Sequence, residues 1–407
     1  MSFQLLTLLT SAAGMALIGL AYGATVVYFI LAALLAVLIV SYASSRLSTR
    51  SLTWQRDLPS RVFEQEPFTV TTALTNRGRL PRFLLTVLDR LPQFLRADTA
   101  PDFVLPALWP QENVRLSYQA RALKRGVYSL GPLSISVADP FGIFHRLVPL
   151  QAPGEAVVYP RPLPLRSLHE LDQSVGEYGF SSGERSQATE SGLDFYGIRD
   201  YQPGDELRRI YWPATARHGR LTVIEYEQGA SRSLAVLLDA AAGSEFGSGL
   251  DTTLETAVRV SASLLHWTLG RQGRAVLALD SPNGPLWIEM DRPEREYEAL
   301  EALARVQANA AMPISQLVEW AVPRLLGGGA VCIITAAPDP HLPRAISVLR
   351  GLRLPVALVL LDAATFDPRV HRLALTAPLE AVGAATTTIA RGDDLAAALK
   401  ETLFASR

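Results

Sequence analysis

The chain is nearly devoid of cysteine and lysine. Cys332 is the only cysteine in 407 residues, so no intrachain disulfide can form. Its setting, "AVCIIT", reads as a buried strand and permits a reducing compartment. Lys124 and Lys400 are the only lysines among 38 basic residues, and that arginine bias is read as compositional before it is read as phosphate recognition. Basic and acidic residues number 38 and 39, for a net charge of -1. The cations are not segregated, which argues against a nucleic-acid surface. The six histidines are dispersed and form no H-E-x-x-H pair, which leaves a zinc hydrolase without a ligand set. The "GGG" of Gly327–Gly329 lacks the Lys-Ser/Thr of a phosphate loop. No cofactor is expected.

Charge is also missing from Leu5 to Val40. One helix of that length would measure roughly 54 Å, well beyond a hydrocarbon core of about 30 Å. Broken at Gly23, the run gives two segments, Leu5–Tyr22 and Ala24–Tyr42, each close to the length of a span. Residues 1–45 are therefore expected to form two transmembrane helices. A cleaved signal peptide fits less well, because nothing before Arg46 is basic and the apolar stretch is too long. Arg46, Arg50 and Arg56 follow the second segment while the short connection is uncharged. By the positive-inside rule the remaining chain is expected in the cytoplasm, anchored in the cell membrane by two spans.

Beyond the apolar segments the chain is expected to be multidomain. Over residues 54–165 short alternating stretches such as "FTVTTALTNRGRLP" are separated by turn residues at Asn76–Gly78 and Gly131–Pro132, the pattern of an all-β immunoglobulin-like sandwich. In "ADPFGIFHR" Asp139 and Pro140 set a turn, and Phe141 and Phe144 are expected in the core. Residues 166–231 are read as a linker, with a lid-like polar stretch from Asp172 to Gly192, followed by a charged segment. From residue 232 to 407 apolar strands such as "SLAVLLD", "RAVLALD", "AVCIIT" and "PVALVLLD" alternate with amphipathic helices, which predicts a doubly wound α/β domain with a mostly parallel sheet. Ligands of such sheets gather beyond the strands' carboxyl ends, here at Asp239, Asp280, Thr335 and Asp362.

The charged segment, "GIRDYQPGDELRRIYWPATARHGRLTVIEYEQ", has readable local structure. Pro203-Gly204 makes a turn, and Asp205 caps a short helix through Ile210 and Tyr211. Pro213 opens a second helix that Gly219 ends. Asp200, Asp205, Arg208, Arg209 and Arg217 can pair among themselves, with Trp212 beneath the guanidinium groups. Arginine cannot act as a general base near neutral pH, and no nucleophile–base pair accompanies it. The cluster reads as an ionic clamp before a partner-docking surface. An alternative is an unrecognised hydrolase or transferase of envelope metabolism, with Asp194, Asp200 and Asp205 as its carboxylates.

The first strand of the α/β domain ends at Asp239, and the order of elements resembles a von Willebrand factor type A domain. In that family a divalent cation sits on a D-x-S-x-S motif, with a Thr and a second Asp from later loops. Here Ala241 and Gly243 stand where the serines would be, and Thr335-Ala336-Ala337 stands where an Asp-Gly pair is expected. A degenerate site that holds no metal, marked by Asp239 and Thr335, is the reading. The pattern R-x-Y-x-x-G-D-x-x-R-x-I-x-W-x-x-x-A-R is matched by Arg199, Tyr201, Gly204, Asp205, Arg208, Ile210, Trp212, Ala216 and Arg217. Together with the apolar N-terminus and "DPFG", it resembles the "domain of unknown function fifty-eight" family. That resemblance implies a bacterial, membrane-bound adaptor, assembly factor or client of a MoxR-type AAA+ ATPase. It implies no reaction, and the chain is expected not to be an enzyme. The residues expected to form the partner-binding surface or structural clamp are Arg199, Asp200, Tyr201, Gly204, Asp205, Arg208, Arg209, Trp212 and Arg217.

Overall fold

A computed structural model describes residues 3–22, 25–47, 51–59, 61–139, 141, 143–150, 154–165, 194–201, 210–227, 233–327, 329–370 and 382–402. The chain divides into two compact units, Met1–Pro160 and Arg161–Arg407. Of residues 54–165, expected to form the β-rich segment, 161–165 fall in the second unit, where the Leu163 N–H donates to Ser263 Oγ at 2.9 Å. The polar stretch 172–192 lies outside the described residues.

The first unit opens on α1 (Phe3–Tyr22) and α2 (Thr25–Leu47). The helices are tied where the Tyr28 hydroxyl donates to the Gly19 carbonyl at 2.9 Å. Thr25–Arg46, 22 residues with a mean hydropathy of 2.6, is long and apolar enough to cross a membrane. The second apolar helix is shorter by that measure, Leu6–Tyr22. Continuing past Tyr42 brings Arg46 into the last turn of α2, where a cation suits the negative end of the helix dipole.

Eleven strands come next among the described residues: β1 (Leu52–Asp57), β2 (Val62–Phe63), β3 (Pro67–Asn76), β4 (Arg82–Leu88), β5 (Leu95–Ala97), β6 (Asp102–Leu108), β7 (Asn113–Ala122), β8 (Gly126–Leu130), β9 (Leu133–Ala138), β10 (His145–Leu150) and β11 (Gly154–Tyr159). Two four-stranded antiparallel sheets, β1-β3-β7-β5 and β10-β9-β4-β6, accompany a smaller sheet, β2-β11-β8. Alternate residues of each strand point to opposite faces. Leu74 and Leu116 of the first sheet thereby share a core with Leu85, Ile135 and Val137 of the second. Arg56 Nη2 meets Asp89 Oδ1 at 2.6 Å, with both side chains nearly inaccessible, and the Tyr118 hydroxyl donates to Asp89 Oδ2 at 2.7 Å. Burial, then Asp89, push the Tyr118 phenol up, so it remains a donor at every physiological pH.

Asp139 does set the turn expected of it, accepting from the N–H groups of Phe141 at 3.0 Å and Phe144 at 2.6 Å. Phe141 is not in the core: it is 56% exposed. A carboxylate that holds the turn by its backbone leaves the side chain that comes after it free to point outward.

The second unit contains a two-stranded ribbon of β12 (Asp194–Asp200) and β13 (Thr222–Glu227), connected through α3 (Trp212–His218). Its main sheet has the order β18-β17-β14-β19-β20-β21. In chain order its parts are β14 (Ser233–Leu238), a small hairpin of β15 (Gly247–Ser248) and β16 (Asp251–Thr252), α4 (Thr253–Gly270), β17 (Arg274–Ser281), β18 (Gly284–Met290), α5 (Glu296–Arg305), α6 (Ile314–Ala321), β19 (Ala330–Thr335), α7 (Leu342–Gly351), β20 (Val356–Leu361), α8 (Ala363–Phe366), β21 (Ala385–Ile389) and α9 (Leu395–Thr402). Every described pairing in this sheet is parallel except that of β17 with β18. Leu237, Ile333 and Leu358 pack with Leu317 of α6 and Ile346 of α7. Their neighbours Val236, Leu238 and Cys332 are equally buried and point to the other face, where α4 lies on β14 and β17. Cys332 is thus the buried strand residue its setting suggested, and burial pushes its thiol up to about 12.

Candidate functional site

Parallel strands end together at the carboxyl edge of the sheet, which gathers Asp239 after β14, Asp280 near the end of β17, and Thr335 at the end of β19. Asp239 and Thr335 are in direct contact: Thr335 Oγ1 donates to Asp239 Oδ2 at 2.6 Å, and the Ala241 N–H donates to Asp239 Oδ1 at 3.0 Å. Thr335 Oγ1 also accepts the Ala337 N–H at 3.0 Å. Burial pushes the Asp239 carboxyl above its ordinary value. The bonds from Thr335 and Ala241 oppose that shift, and the nearby Asp339 charge adds to it.

The other carboxylates of this edge hold loops. Asp280 Oδ2 accepts the Met312 N–H at 2.9 Å. Asp339 Oδ2 accepts the Ser315 N–H at 3.0 Å in the first turn of α6, and its Oδ1 accepts the His341 N–H at 2.8 Å. Asp362 is buried, and its backbone N–H donates to the Ile389 carbonyl at 2.9 Å. The loop after Asp239 is pinned as well: Ala310 N–H donates to Ala240 O at 3.0 Å, and Ala242 N–H donates to Ala310 O at 2.9 Å. A hexacoordinate divalent cation needs several oxygen donors turned to one point. Ala241 and Gly243 bring no side-chain oxygen, and the Thr335 hydroxyl is turned to Asp239. The donor set does not fit such an ion. Sequence reasoning missed Asp339, whose one local sign is its place before Pro340 in the loop after β19.

The second cluster sits on the β12–β13 ribbon. β12 carries Asp194 at its start and Asp200 at its end, paired with Glu227 and Thr222. Six residues of strand separate these carboxylate positions by roughly 20 Å. That separation exceeds the span over which two carboxylates flank one scissile bond. The Tyr201 N–H donates to Leu221 O at 2.9 Å and the Tyr211 N–H to Thr222 O at 2.8 Å, which brings both ends of the intervening segment back to β13. Gly204, Asp205, Arg208 and Arg209 lie outside the described residues, as do the side chains of Arg199, Asp200 and His218.

The expected helix does not extend through Ile210 and Tyr211. Ile210 bridges Val223 in antiparallel fashion, and Tyr211 is extended. β-Branched Ile210 gains more from pairing with the ribbon than from one helical turn. The helix opened by Pro213 is present as α3, and Gly219 ends it with a φ of 67°, its N–H donating to Thr215 O at 3.0 Å. Thr215 Oγ1 then accepts the Thr222 N–H at 3.1 Å, which fastens the helix to β13. Trp212 is 64% exposed, and Tyr211, Arg217 and Leu221 are exposed beside it in the chain.

Residues 197–318 match the family described as "Protein of unknown function DUF58". The matched segment takes in the end of β12, α3, β13, the Asp239 edge and the sheet as far as α6. The uncharacterized protein YeaD of Bacillus subtilis (strain 168) is 25% identical over 250 residues, covering 61% of this chain and 60% of that protein. This chain thus spans about 60% of the length of that relative. Among solved structures the SpRpn10 VWA domain is similar at a TM-score of 0.31 and 10% identity, over 42% of this chain and 93% of that one. An Escherichia coli alpha-2-macroglobulin structure spanning domain MG7 to the C-terminus is similar at a TM-score of 0.22 and 17% identity, over 29% and 21%. Neither score is high enough to bear on fold or function.

Proposed function

We propose that this DUF58 protein is a membrane-anchored adaptor, held by its N-terminal hairpin with its two folded units in the cytoplasm. It binds a protein partner, a MoxR-type AAA+ ATPase in the first instance, and catalyses nothing itself. On this reading the β-rich unit is an immunoglobulin-like spacer and the α/β unit a von Willebrand factor A-like domain with a degenerate cation site.

The observation that carries the proposal is the exposure of Trp212 on a helix fastened at both ends. Tryptophan, tyrosine and arginine are the residue types that dominate binding hot spots. A short helix capped by Gly219 and tied to β13 presents Trp212 beside Tyr211, with Arg217 one turn on, at little entropic cost on binding. Burying a tryptophan of that exposure against a partner removes on the order of 100 Å² of apolar surface from water, worth about 2 kcal/mol. The exposure favours docking over a clamp, because a clamp would cover the tryptophan.

The test is affinity for the purified ATPase in detergent, measured with the full chain. Trp212→Ala is expected to weaken binding by about tenfold or more with no change in melting temperature. Equal affinity in a stable variant would remove α3 from the interface, and no affinity in the wild type would remove the ATPase.

A further inference from the structure

The β-sandwich has two ends, and one of them is unlike the rest of its surface. The pairings Leu52 with Asn76 and Thr75 with Asn113 place the start of β1, the end of β3 and the start of β7 together. In the facing sheet, Arg82 opposite Leu108 and Leu85 opposite Val137 bring the start of β4, the end of β6 and the end of β9 to the same end. The chain enters the sandwich here, only a few residues after α2 ends at Leu47.

This end carries Leu80, Phe83, Leu84, Trp109 and Phe141, all exposed, with Leu80 at 55% and Trp109 at 58%. The exposure is built in rather than loose. Leu84 has a φ of 50°, in the left-handed region that a leucine avoids. There the in–out alternation of β4 fails, so Phe83 and Leu84 both face outward. Phe83 and Trp109 meet edge to face, with ring centroids 6.4 Å apart. Buried Asn76 fixes both loops: its Nδ2 donates to Leu80 O at 2.9 Å and Leu108 O at 3.1 Å, and its Oδ1 accepts the Gly78 N–H at 2.9 Å. Strain held in place by such bonds is a device for presenting side chains.

The same end touches the apolar helices. The Tyr42 and Phe144 rings meet edge to face at 5.8 Å. Phe141 and Ile143 border an open cleft of about 410 Å³ with Leu8, Leu34, Val37 and Leu38. Leu38 lies eight residues before Arg46, hence about 12 Å further along the helix axis. With Arg46 among the headgroups, Phe141 reaches the acyl side of the headgroup–acyl boundary. Backbone at that depth must have its N–H groups satisfied; Asp139, fully buried, does this for Phe141 and Phe144. Arg77 and Arg79 flank the aromatic residues and are exposed. Aromatic residues with arginine around them are the make-up of a membrane–water interface, and arginine there attracts anionic headgroups.

Resting on the reading of the N-terminal hairpin as a membrane anchor, we propose that this end of the sandwich is seated in the bilayer. It lays Leu80, Phe83, Leu84, Trp109 and Phe141 into the headgroup–acyl boundary of an anionic phospholipid surface, with Arg77 and Arg79 on lipid phosphates. The β-unit is then a membrane-embedded base and not a domain swinging on a tether.

The test uses the full chain in phosphatidylcholine–phosphatidylglycerol vesicles containing nitroxide-labelled lipid. A fluorophore is attached to Leu35→Cys in α2, Trp109→Cys, Phe141→Cys or Gln119→Cys in turn. Position 119 is exposed towards the other end of β7, and native Cys332 is fully buried and does not compete for the label. Quenching at 35, 109 and 141 several-fold above that at 119 is the expected result. Quenching at 35 with 109 and 141 no different from 119 would overturn the seated face while leaving the anchor intact. Absence of quenching at 35 would remove the anchor and this proposal with it. In the Arg77→Glu, Arg79→Glu variant, quenching at 109 should fall in anionic vesicles and not in pure phosphatidylcholine; no change in either would overturn the anionic-lipid assignment.

Discussion

At the level of single residues, Asp239 is the informative group. A carboxyl buried beside Asp339, with Thr335 and Ala241 as donors, has its folded-state pKa above the unfolded one. The folded state then binds the extra proton. Stability from this group is complete below the ordinary carboxylate pKa and is lost as pH rises through the folded value. Asp239→Asn, which cannot ionise, should therefore gain melting temperature relative to wild type on going from pH 4 to pH 7. A difference between the two proteins that stays constant with pH would refute the assignment. Thr335→Val removes the hydroxyl donor at 2.6 Å and should destabilise by about 1–3 kcal/mol in denaturant unfolding. The Asp239–Thr335 pair is legible in the sequence because strand-end residues of a parallel sheet converge by topology. Asp339 is not, since its role depends on where the first turn of α6 comes to rest. Phenylalanine usually packs inward, which is the expectation for Phe141; a turn held by Asp139 at the hairpin end of the sandwich reverses it.

Among the elements, long apolar strands and helices with a strong 3.6-residue period are legible, and the edges are not. β18 comes after β17 through "SPNG", a hairpin signal, and its Gly284 has a φ of 105°. The turn announces the strand better than "GPLWIEM" does, because an edge strand is half-exposed and lacks a continuous apolar run. β21, "ATTTI", hides for the same reason. In the first unit, Arg56 of β1, Asp89 after β4 and Tyr118 of β7 join both main sheets by polar contacts that no periodicity reveals. Removing one partner leaves a buried charge without its counter-ion. Asp89→Asn should therefore cost about 3–5 kcal/mol in unfolding free energy. A loss below 1 kcal/mol would mean the pair is solvated and not the junction its geometry indicates.

For the molecule as a whole, the proposed adaptor combines an apolar hairpin, a β-unit whose hairpin-facing end suits a bilayer, and an α/β unit preceded by a ribbon that exposes Trp212. In that proposal the α/β unit works in the cytoplasm, where an AAA+ ATPase could reach α3. The alternative, an envelope enzyme using Asp194, Asp200 and Asp205, needs the opposite side, and the separation of Asp194 from Asp200 along β12 sets those two apart. The arginines after the second apolar segment favour the cytoplasmic placement, and orientation is directly measurable. The measurement is a reporter fused after Arg407 in living cells, with alkaline phosphatase, active only outside, in one fusion and β-galactosidase, active only inside, in the other. An adaptor facing the cytoplasm gives active β-galactosidase and inactive phosphatase. Active phosphatase with inactive β-galactosidase would place the folded units outside and contradict it.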